Sequence, residues 1–103
     1  MRRMACWGMI KSWGTEPTRR FAETGKSKFS GLDEGKALAR LQLLDATSSL
    51  EEIPPLKSIG LHKLSGDRGD QWAMTINGPW RLVFSFHDGQ AFNVEIVDYH
   101  AGE

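Results

Sequence analysis

The residue types that could perform acid–base chemistry lie at the end of the chain, where Asp98, Tyr99 and His100 occupy three consecutive positions after an apolar stretch. Together a carboxylate, a phenol and an imidazole supply proton donors, proton acceptors and a ring that can stack on a base. Two further polar residues precede them, His62 at the start of one predicted strand and Arg81 within another. If a sheet brings these segments together, the set contains the groups needed to cleave RNA without a metal.

The position of Arg81 within a strand predicts which way its side chain points. Because Trp80 and Leu82 are apolar and side chains alternate along a strand, Arg81 is expected on the sheet face that does not pack on the helices. Its planar guanidinium would suit a phosphate there. The alternative is a surface ion pair with Glu95 or Asp98, and the sequence leaves both interpretations open.

A metal centre is not predicted. His62, His100, Asp98 and Cys6 show no paired ligand spacing, and the chain has no glycine-rich phosphate loop or nucleophile turn. We therefore expect neither a metal nor another cofactor. A lone histidine is more often structural than catalytic, so the interpretation of His62 depends on its partners.

Length and composition favour one domain in a reducing compartment. The chain has 103 residues and a single cysteine, and no apolar run approaches the ~20 residues of a membrane span. We expect a cytoplasmic protein without a secretory signal. The formal net charge is zero, but residues 1–40 contribute +5 and residues 41–103 contribute −5. The basic front half could attract a polyanion, or the two halves could mix on the folded surface.

Hydrophobic periodicity predicts helices in the first half of the chain. Thr15, Pro17 and Gly25 are typical of the ends of a helix over residues 16–24, and leucines at 38, 41 and 44 indicate a second helix from about 30 to 47. A short strand is expected at 9–13, and two adjacent prolines place a non-helical linker at 48–60.

The second half of the chain alternates as strands do. Phe92, Val94 and Ile96 are predicted to share the apolar face of the last strand, and Asp88-Gly89 is a strong hairpin signal. The resulting fold class is α+β, with two N-terminal helices packed on a small antiparallel sheet.

Four segments, in this order and spacing, resemble the HigB-type toxins of the RelE/ParE superfamily: 9–13, 61–68, 72–84 and 97–100. The resemblance implies the same fold, with a single toxin domain at 9–103 and residues 1–8 as an extension outside the family. It also implies a type II toxin that cuts messenger RNA in the ribosomal A site, by attack of the ribose 2′-OH and without a metal.

The resemblance further implies a set of site residues. Its catalytic members are His62, Asp98, Tyr99 and His100, and its RNA- or phosphate-binding members are Arg81, Lys63, Arg68 and Trp80. We expect His62 to act as the base and His100 as the acid, with Asp98 orienting one of them, while Tyr99 or Trp80 stacks on a base.

The implied partners are a helix-turn-helix antitoxin similar to HigA, the ribosome with its A-site mRNA, and operator DNA only through the antitoxin. Membrane association is not expected. Two alternatives remain open: a ParE-like inhibitor of DNA gyrase without nuclease activity, and a decayed toxin that only binds its antitoxin. The second alternative follows from Ser65, which stands where the family pattern has a lysine, and from the neutral net charge.

Overall fold

Residues 7–64 and 70–98 are described by the structure, a computed structural model of the chain. Two helices, α1 (Glu16–Thr24) and α2 (Glu34–Asp45), precede a single 3-10 turn at Leu50–Glu52. Four strands follow: β1 (His62–Lys63), β2 (Gln71–Asn77), β3 (Trp80–His87) and β4 (Gln90–Asp98). All pairs are antiparallel and the order is β1-β2-β3-β4, so the predicted fold class is confirmed.

Helix α1 lies where the sequence predicted it. Thr15 occupies the N-cap position, but its hydroxyl bonds to the hydroxyl of Thr18 at 2.8 Å instead of capping a backbone N–H. Gly25 ends the helix with φ +78, a left-handed conformation that a glycine adopts without steric cost. The buried hydroxyl of Thr18 also accepts a hydrogen bond of 2.9 Å from the Ile96 N–H, which anchors α1 to β4.

Helix α2 is shorter than predicted at both ends. Gly31 has φ +82, so the chain cannot be helical there, and the Asp33 carboxylate instead caps the helix by accepting from the Lys36 N–H at 3.0 Å. The buried face carries Ala37 and leucines 41 and 44 and packs on the sheet. Within the part of the chain that the structure describes, no helix is long and apolar enough to cross a bilayer.

The predicted strand at 9–13 does not form a continuous ladder. It makes two isolated parallel bridges to β4, Ile10 with Ala91 and Trp13 with Val94. The backbone between these bridges is still held, because the Lys11 N–H donates to the Ala91 carbonyl at 2.8 Å. The segment therefore lies along the edge strand β4 and limits its exposure to other chains.

The start of this segment is fastened to α2 through Asp45. Its carboxylate accepts from the N–H groups of Gly8, Met9 and Ile10 at 2.9, 2.8 and 2.9 Å. Trp7 is partly buried against the hydrophobic core. These contacts begin two residues before Met9, where the family domain was predicted to start.

A β-bulge in β4 overturns one predicted side-chain direction. Asn93, at φ +54, adds a residue opposite β3, so that the register shifts between Val83 and Ser85. A one-residue shift inverts every side chain beyond it. Phe92 therefore pairs with Ser85 and lies outside the core cluster, whereas Ala91 is buried within it. The prediction that Phe92 shares the apolar face was wrong.

Candidate active site on the outer face of the sheet

The sheet packs one face on the helices and turns the other, here named the outer face, away from them. Residues in direct register share a face. The outer face therefore contains two neighbouring rows across the strands: His62, Ala73, Val83 and Glu95, then Thr75, Arg81 and Val97. Ala73 and Val83 are each 2% exposed although they lie outside the core cluster, so their small apolar side chains are buried between the polar residues of the outer face.

His62 and Arg81 lie on this same face, as alternation predicted for Arg81. Two inter-strand spacings and two residues along the strands separate them, which places their Cα atoms about 12 Å apart. The two side chains share the face, but the guanidinium of Arg81 is held at the turn between β2 and β3, on the side of its row away from His62.

The ring of His62 is exposed and held in one orientation. Its Nδ1 lies 2.9 Å from the carbonyl oxygen of Gly60. A carbonyl can only accept, so Nδ1 must carry the hydrogen. In the neutral ring the lone pair is then on Nε2, and a general base requires such a lone pair to accept a proton.

The turn that presents the Gly60 carbonyl is tightly constrained. Gly60 has φ +58, and a Cβ added to it would lie 2.9 Å from Thr75 Oγ1, so only glycine fits without a shift. Its N–H donates to the Leu56 carbonyl at 2.9 Å, and the Thr75 N–H donates to the Ile59 carbonyl at 2.6 Å. The turn is thus attached to β2 immediately before it reaches His62.

Arg40 of α2 holds the same turn from the helical side. Its Nε donates to the Thr75 carbonyl and its Nη2 to the Ser58 carbonyl, both at 2.9 Å. One planar guanidinium therefore joins the helix, β2 and the turn before His62. Neither Arg40 nor the Gly60 carbonyl was predicted from the sequence, since no pattern in the chain relates residue 40 to carbonyls 18 and 35 positions away.

Arg81 is partly buried and is oriented by the turn between β2 and β3. Its Nη1 donates to the carbonyls of Gly78 at 2.7 Å and Trp80 at 3.0 Å. Glu95, one partner in the predicted alternative ion pair, is diagonal to Arg81 on the outer face. Asp98 is opposite Trp80 and so alternates to the other face.

Two predicted RNA-binding residues are not brought to the outer face. Trp80 packs beside the helical layer, where its Nε1 donates to the Ser30 carbonyl at 3.2 Å and its ring centroid lies 5.2 Å from that of Phe29, at an interplanar angle of 64°. Lys63 pairs with Trp72 and alternates away from His62. Neither side chain therefore shares the face of His62 and Arg81.

Asp98 ends β4, and His62 begins β1, so the two lie at opposite edges of the sheet. Three inter-strand spacings, about 14 Å, separate these edges. The carboxylate of Asp98 consequently does not orient His62, whose ring is held by Gly60 instead. Tyr99, His100 and Arg68 lie outside the described residues.

Other clusters do not coincide with this site. Across residues 7–64 and 70–98, no group of three His, Cys, Asp or Glu side chains is placed to hold a metal ion. A groove of about 620 Å³ runs beside α1 and contains none of the predicted site residues; its charged lining residues are Glu16, Arg20, Lys26 and Lys28. On the same helix the Arg19 guanidinium bonds to Glu16 and lowers the pKa of that carboxyl.

The fold and site together define a small α+β domain whose outer sheet face combines a base-competent imidazole with an arginine. A family profile described as the RelE-like toxin HigB of type II toxin–antitoxin systems matches residues 12–100. Over 93 residues the chain is 32% identical to a Proteus vulgaris protein named Endoribonuclease HigB, a match that covers 89% of this chain and all of the relative. The chain belongs to the HigB-like family of type II toxins, and membership implies an antitoxin partner.

Proposed function

We propose that this toxin is an endoribonuclease that cuts messenger RNA held in the ribosomal A site, through attack of a ribose 2′-OH and without a metal. The observation that carries the proposal is the Nε2 of His62, left as an acceptor by the bond from Nδ1 to the Gly60 carbonyl, on the same face as Arg81. The similarity to a protein named as an endoribonuclease supports the reaction class.

His62 acts as the base in the first half of the proposed reaction. Its Nε2 takes the proton from the 2′-OH, and the resulting oxygen forms a bond to the adjacent phosphorus. The P–O5′ bond breaks, which leaves a 2′,3′-cyclic phosphate on one product and a 5′-hydroxyl on the other. The proton that the 5′-oxygen requires comes from an acid, so water is not consumed in this step.

Arg81 and the end of β4 complete the proposed reaction. Negative charge gathers on the phosphoryl oxygens as the bond forms, and the guanidinium of Arg81 stabilises it in place of a metal ion. By resemblance to the family, His100 is the acid and Tyr99 stacks on a base. Because Asp98 ends the strand at the edge opposite His62, we assign it to the orientation of His100.

The proposed partners follow from the same resemblance. The antitoxin is a helix-turn-helix protein similar to HigA, and operator DNA is contacted only through it. The substrate complex is the ribosome with mRNA in its A site, which locates the activity in the cytoplasm. Lys63, Arg68 and Trp80 remain predicted RNA contacts outside the reaction centre.

Two substitutions at His62 separate catalysis from folding. His62→Asn retains an amide N–H that can donate to the Gly60 carbonyl but has no base, whereas His62→Ala lacks both groups. Both should slow cleavage of ribosome-bound mRNA by roughly 10²- to 10⁴-fold, as expected for loss of a general base, and His62→Asn should melt near the wild-type temperature.

Primer extension on ribosome-bound and free transcripts measures the cleavage. New 5′ ends only on the ribosome-bound transcript are the expected result. The absence of new ends with intact ribosomes would refute the proposal, as would wild-type cleavage by His62→Asn. Inhibition of DNA supercoiling by stoichiometric toxin, without any RNA cleavage, would favour the gyrase-directed alternative.

A further inference from the structure

Most of the basic residues in positions 1–40 lie outside the site on the outer face. Arg19 is paired with two glutamates of α1, and Arg40 is bound to backbone carbonyls. Three other cations line the groove of about 620 Å³ beside α1: Arg20, Lys26 and Lys28. Exposed cations of the basic half of the chain therefore gather at this groove, here named the α1 groove.

The backbone that forms the α1 groove is fixed to both helices. One wall is the exposed side of α1, and the other is the irregular segment of residues 26–28. The Lys26 N–H donates to Thr24 Oγ1 at 3.2 Å, which holds this segment to the end of α1. The Ser27 N–H donates to the Glu34 carboxylate at 2.8 Å, which holds it to the first turn of α2. The shape of the groove is therefore a property of the fold.

The α1 groove opens on the side of α1 that faces away from the sheet. Thr18 and Phe21 are buried on the opposite side of the helix, where Thr18 bonds to β4. Glu16, Arg20 and Thr24 recur every four residues and are exposed, so they form one stripe along the helix. Helix α1 and the sheet therefore separate the groove from the outer face that carries His62 and Arg81.

The charge of the α1 groove is net positive. Its carboxylate, Glu16, accepts a hydrogen bond of 3.1 Å from the Nε of Arg19 and lies 3.5 Å from the Nε of Arg20, so it is already compensated. Lys26 and Lys28 are exposed and form no ion pair with any residue in the part of the chain that the structure describes. An acidic ligand would therefore find ammonium groups that are free to bind it.

The surface between these charges suits a peptide better than a nucleic acid. Pro17 and the aliphatic stems of the cations give the groove apolar area. An amphipathic helix can cover such area with its apolar side chains while its carboxylates meet the cations. The stripe from Glu16 to Thr24 spans about 12 Å, so a similar length of partner helix, about two turns, fits along it. Family membership implies that a protein partner of this toxin exists, namely the antitoxin.

We propose that the α1 groove is a docking site for an acidic, amphipathic segment of the antitoxin. The inference uses family membership and not the proposed nuclease reaction, so it does not depend on His62 or Arg81. Because exposed charges act through solvent, the contact should accelerate association and should weaken as the salt concentration rises.

The test measures binding of the cognate antitoxin to toxin variants by isothermal titration calorimetry. The toxin is separated from the co-expressed antitoxin in guanidinium chloride and refolded, and circular dichroism melts verify that each variant is folded at the assay temperature. The groove variant combines Lys26→Glu with Lys28→Glu. The control combines Lys11→Glu with Lys36→Glu, which makes the same change in net charge at two exposed lysines that do not line the groove.

The groove variant should bind the antitoxin at least about tenfold more weakly than wild type, because an acidic segment would then meet like charges. The control should bind within about twofold of wild type, and the wild-type Kd should rise between about 50 and about 300 mM salt. Wild-type affinity in the groove variant, equal weakening in the control, or a Kd independent of salt would each overturn the inference.

A second titration tests RNA as the occupant of the α1 groove. Its probe is a labelled oligouridylate, followed by fluorescence anisotropy. Weaker RNA binding by the groove variant together with unchanged affinity for the antitoxin would overturn the inference in favour of RNA. Neither titration measures cleavage, so failure of the proposed nuclease function would leave both results unchanged.

Discussion

Substitution of Arg40 tests whether a residue of the helical layer positions the proposed base. Its guanidinium joins the Thr75 and Ser58 carbonyls, and Ser58 is two residues before the Gly60 carbonyl that orients His62. Arg40→Ala removes both bonds and releases this turn from α2. We therefore expect a loss of stability together with a loss of catalytic rate.

The two bonds differ in their surroundings, which sets the expected magnitude. A hydrogen bond from a charged donor contributes about 1.5–3 kcal/mol net. The bond to Thr75 is partly buried and should retain most of that value, whereas water can replace the exposed bond to Ser58. Arg40→Ala should thus lower the free energy of unfolding by about 2 kcal/mol and the melting temperature by roughly 8–15 °C.

The catalytic effect follows from the orientation of the imidazole. A displacement near 1 Å in a reacting group can cost on the order of 100-fold in rate, so kcat for RNA cleavage should fall about tenfold or more while KM changes little. Arg40→Lys keeps the charge but not the planar fork and should lie between Arg40→Ala and wild type. The ¹⁵N spectrum of the His62 ring provides a direct readout, because release of Gly60 should mix the two neutral tautomers.

Asp45→Ala is the matched control for these measurements. Asp45 is also on α2 and also holds a distant backbone segment, through the N–H groups of residues 8–10. Its loss should destabilise the fold by a similar amount, about 2 kcal/mol, without contact with the turn at Gly60. Wild-type kcat in Arg40→Ala, or an equal fall of kcat in Asp45→Ala, would show that Arg40 acts only through global stability.

Two further predictions concern charge. Arg81→Ala should reduce kcat by about 10²–10³-fold and Arg81→Lys by less, measured as single-turnover cleavage of ribosome-bound mRNA; equal rates for Ala and wild type would exclude transition-state stabilisation by this residue. Ser48 donates its N–H and its hydroxyl to the Glu52 carboxylate and so lowers the pKa of that carboxyl below its ordinary value of 4.5. The ionised Glu52 therefore stabilises the fold above pH 4.5, and this stabilisation is lost as the pH falls through the lowered pKa. The stability difference between wild type and Glu52→Gln in urea melts should shrink on acidification, and a constant difference would contradict this assignment.

The regular parts of the fold were predictable because local signals and periodicity agreed. Helix α1 has Thr15 before it and Gly25 after it, and both ends were predicted correctly. The hairpin between β3 and β4 has φ +53 at Asp88 and φ +76 at Gly89, the two positive angles that an Asp-Gly loop favours. At these places a few adjacent residues determine the conformation, so a single sequence is sufficient.

The predictions failed where a single residue redirects the chain or where contacts are distant in sequence. The bulge at Asn93 is invisible to alternation, because the sequence Phe-Asn-Val-Glu-Ile reads as an uninterrupted strand. Helix α2 appeared longer because Gly31 interrupts a stretch that is otherwise compatible with helix. The anchoring of His62 through Gly60 and Arg40 depends on backbone carbonyls, which every residue has and no composition signal marks.

The division of the site between the two edge strands explains why the middle of the sheet matters to the proposed reaction. His62 begins β1 and Asp98 ends β4, so β2 and β3 lie between these two proposed site residues. Ala73 and Val83 pair with each other between them and are each 2% exposed, so a bulkier side chain at either position would have to displace its neighbours. The helices hold these strands in place through contacts such as those of Arg40 with the Thr75 carbonyl and of Thr18 with the Ile96 N–H. Residues remote from the reaction can therefore control its geometry.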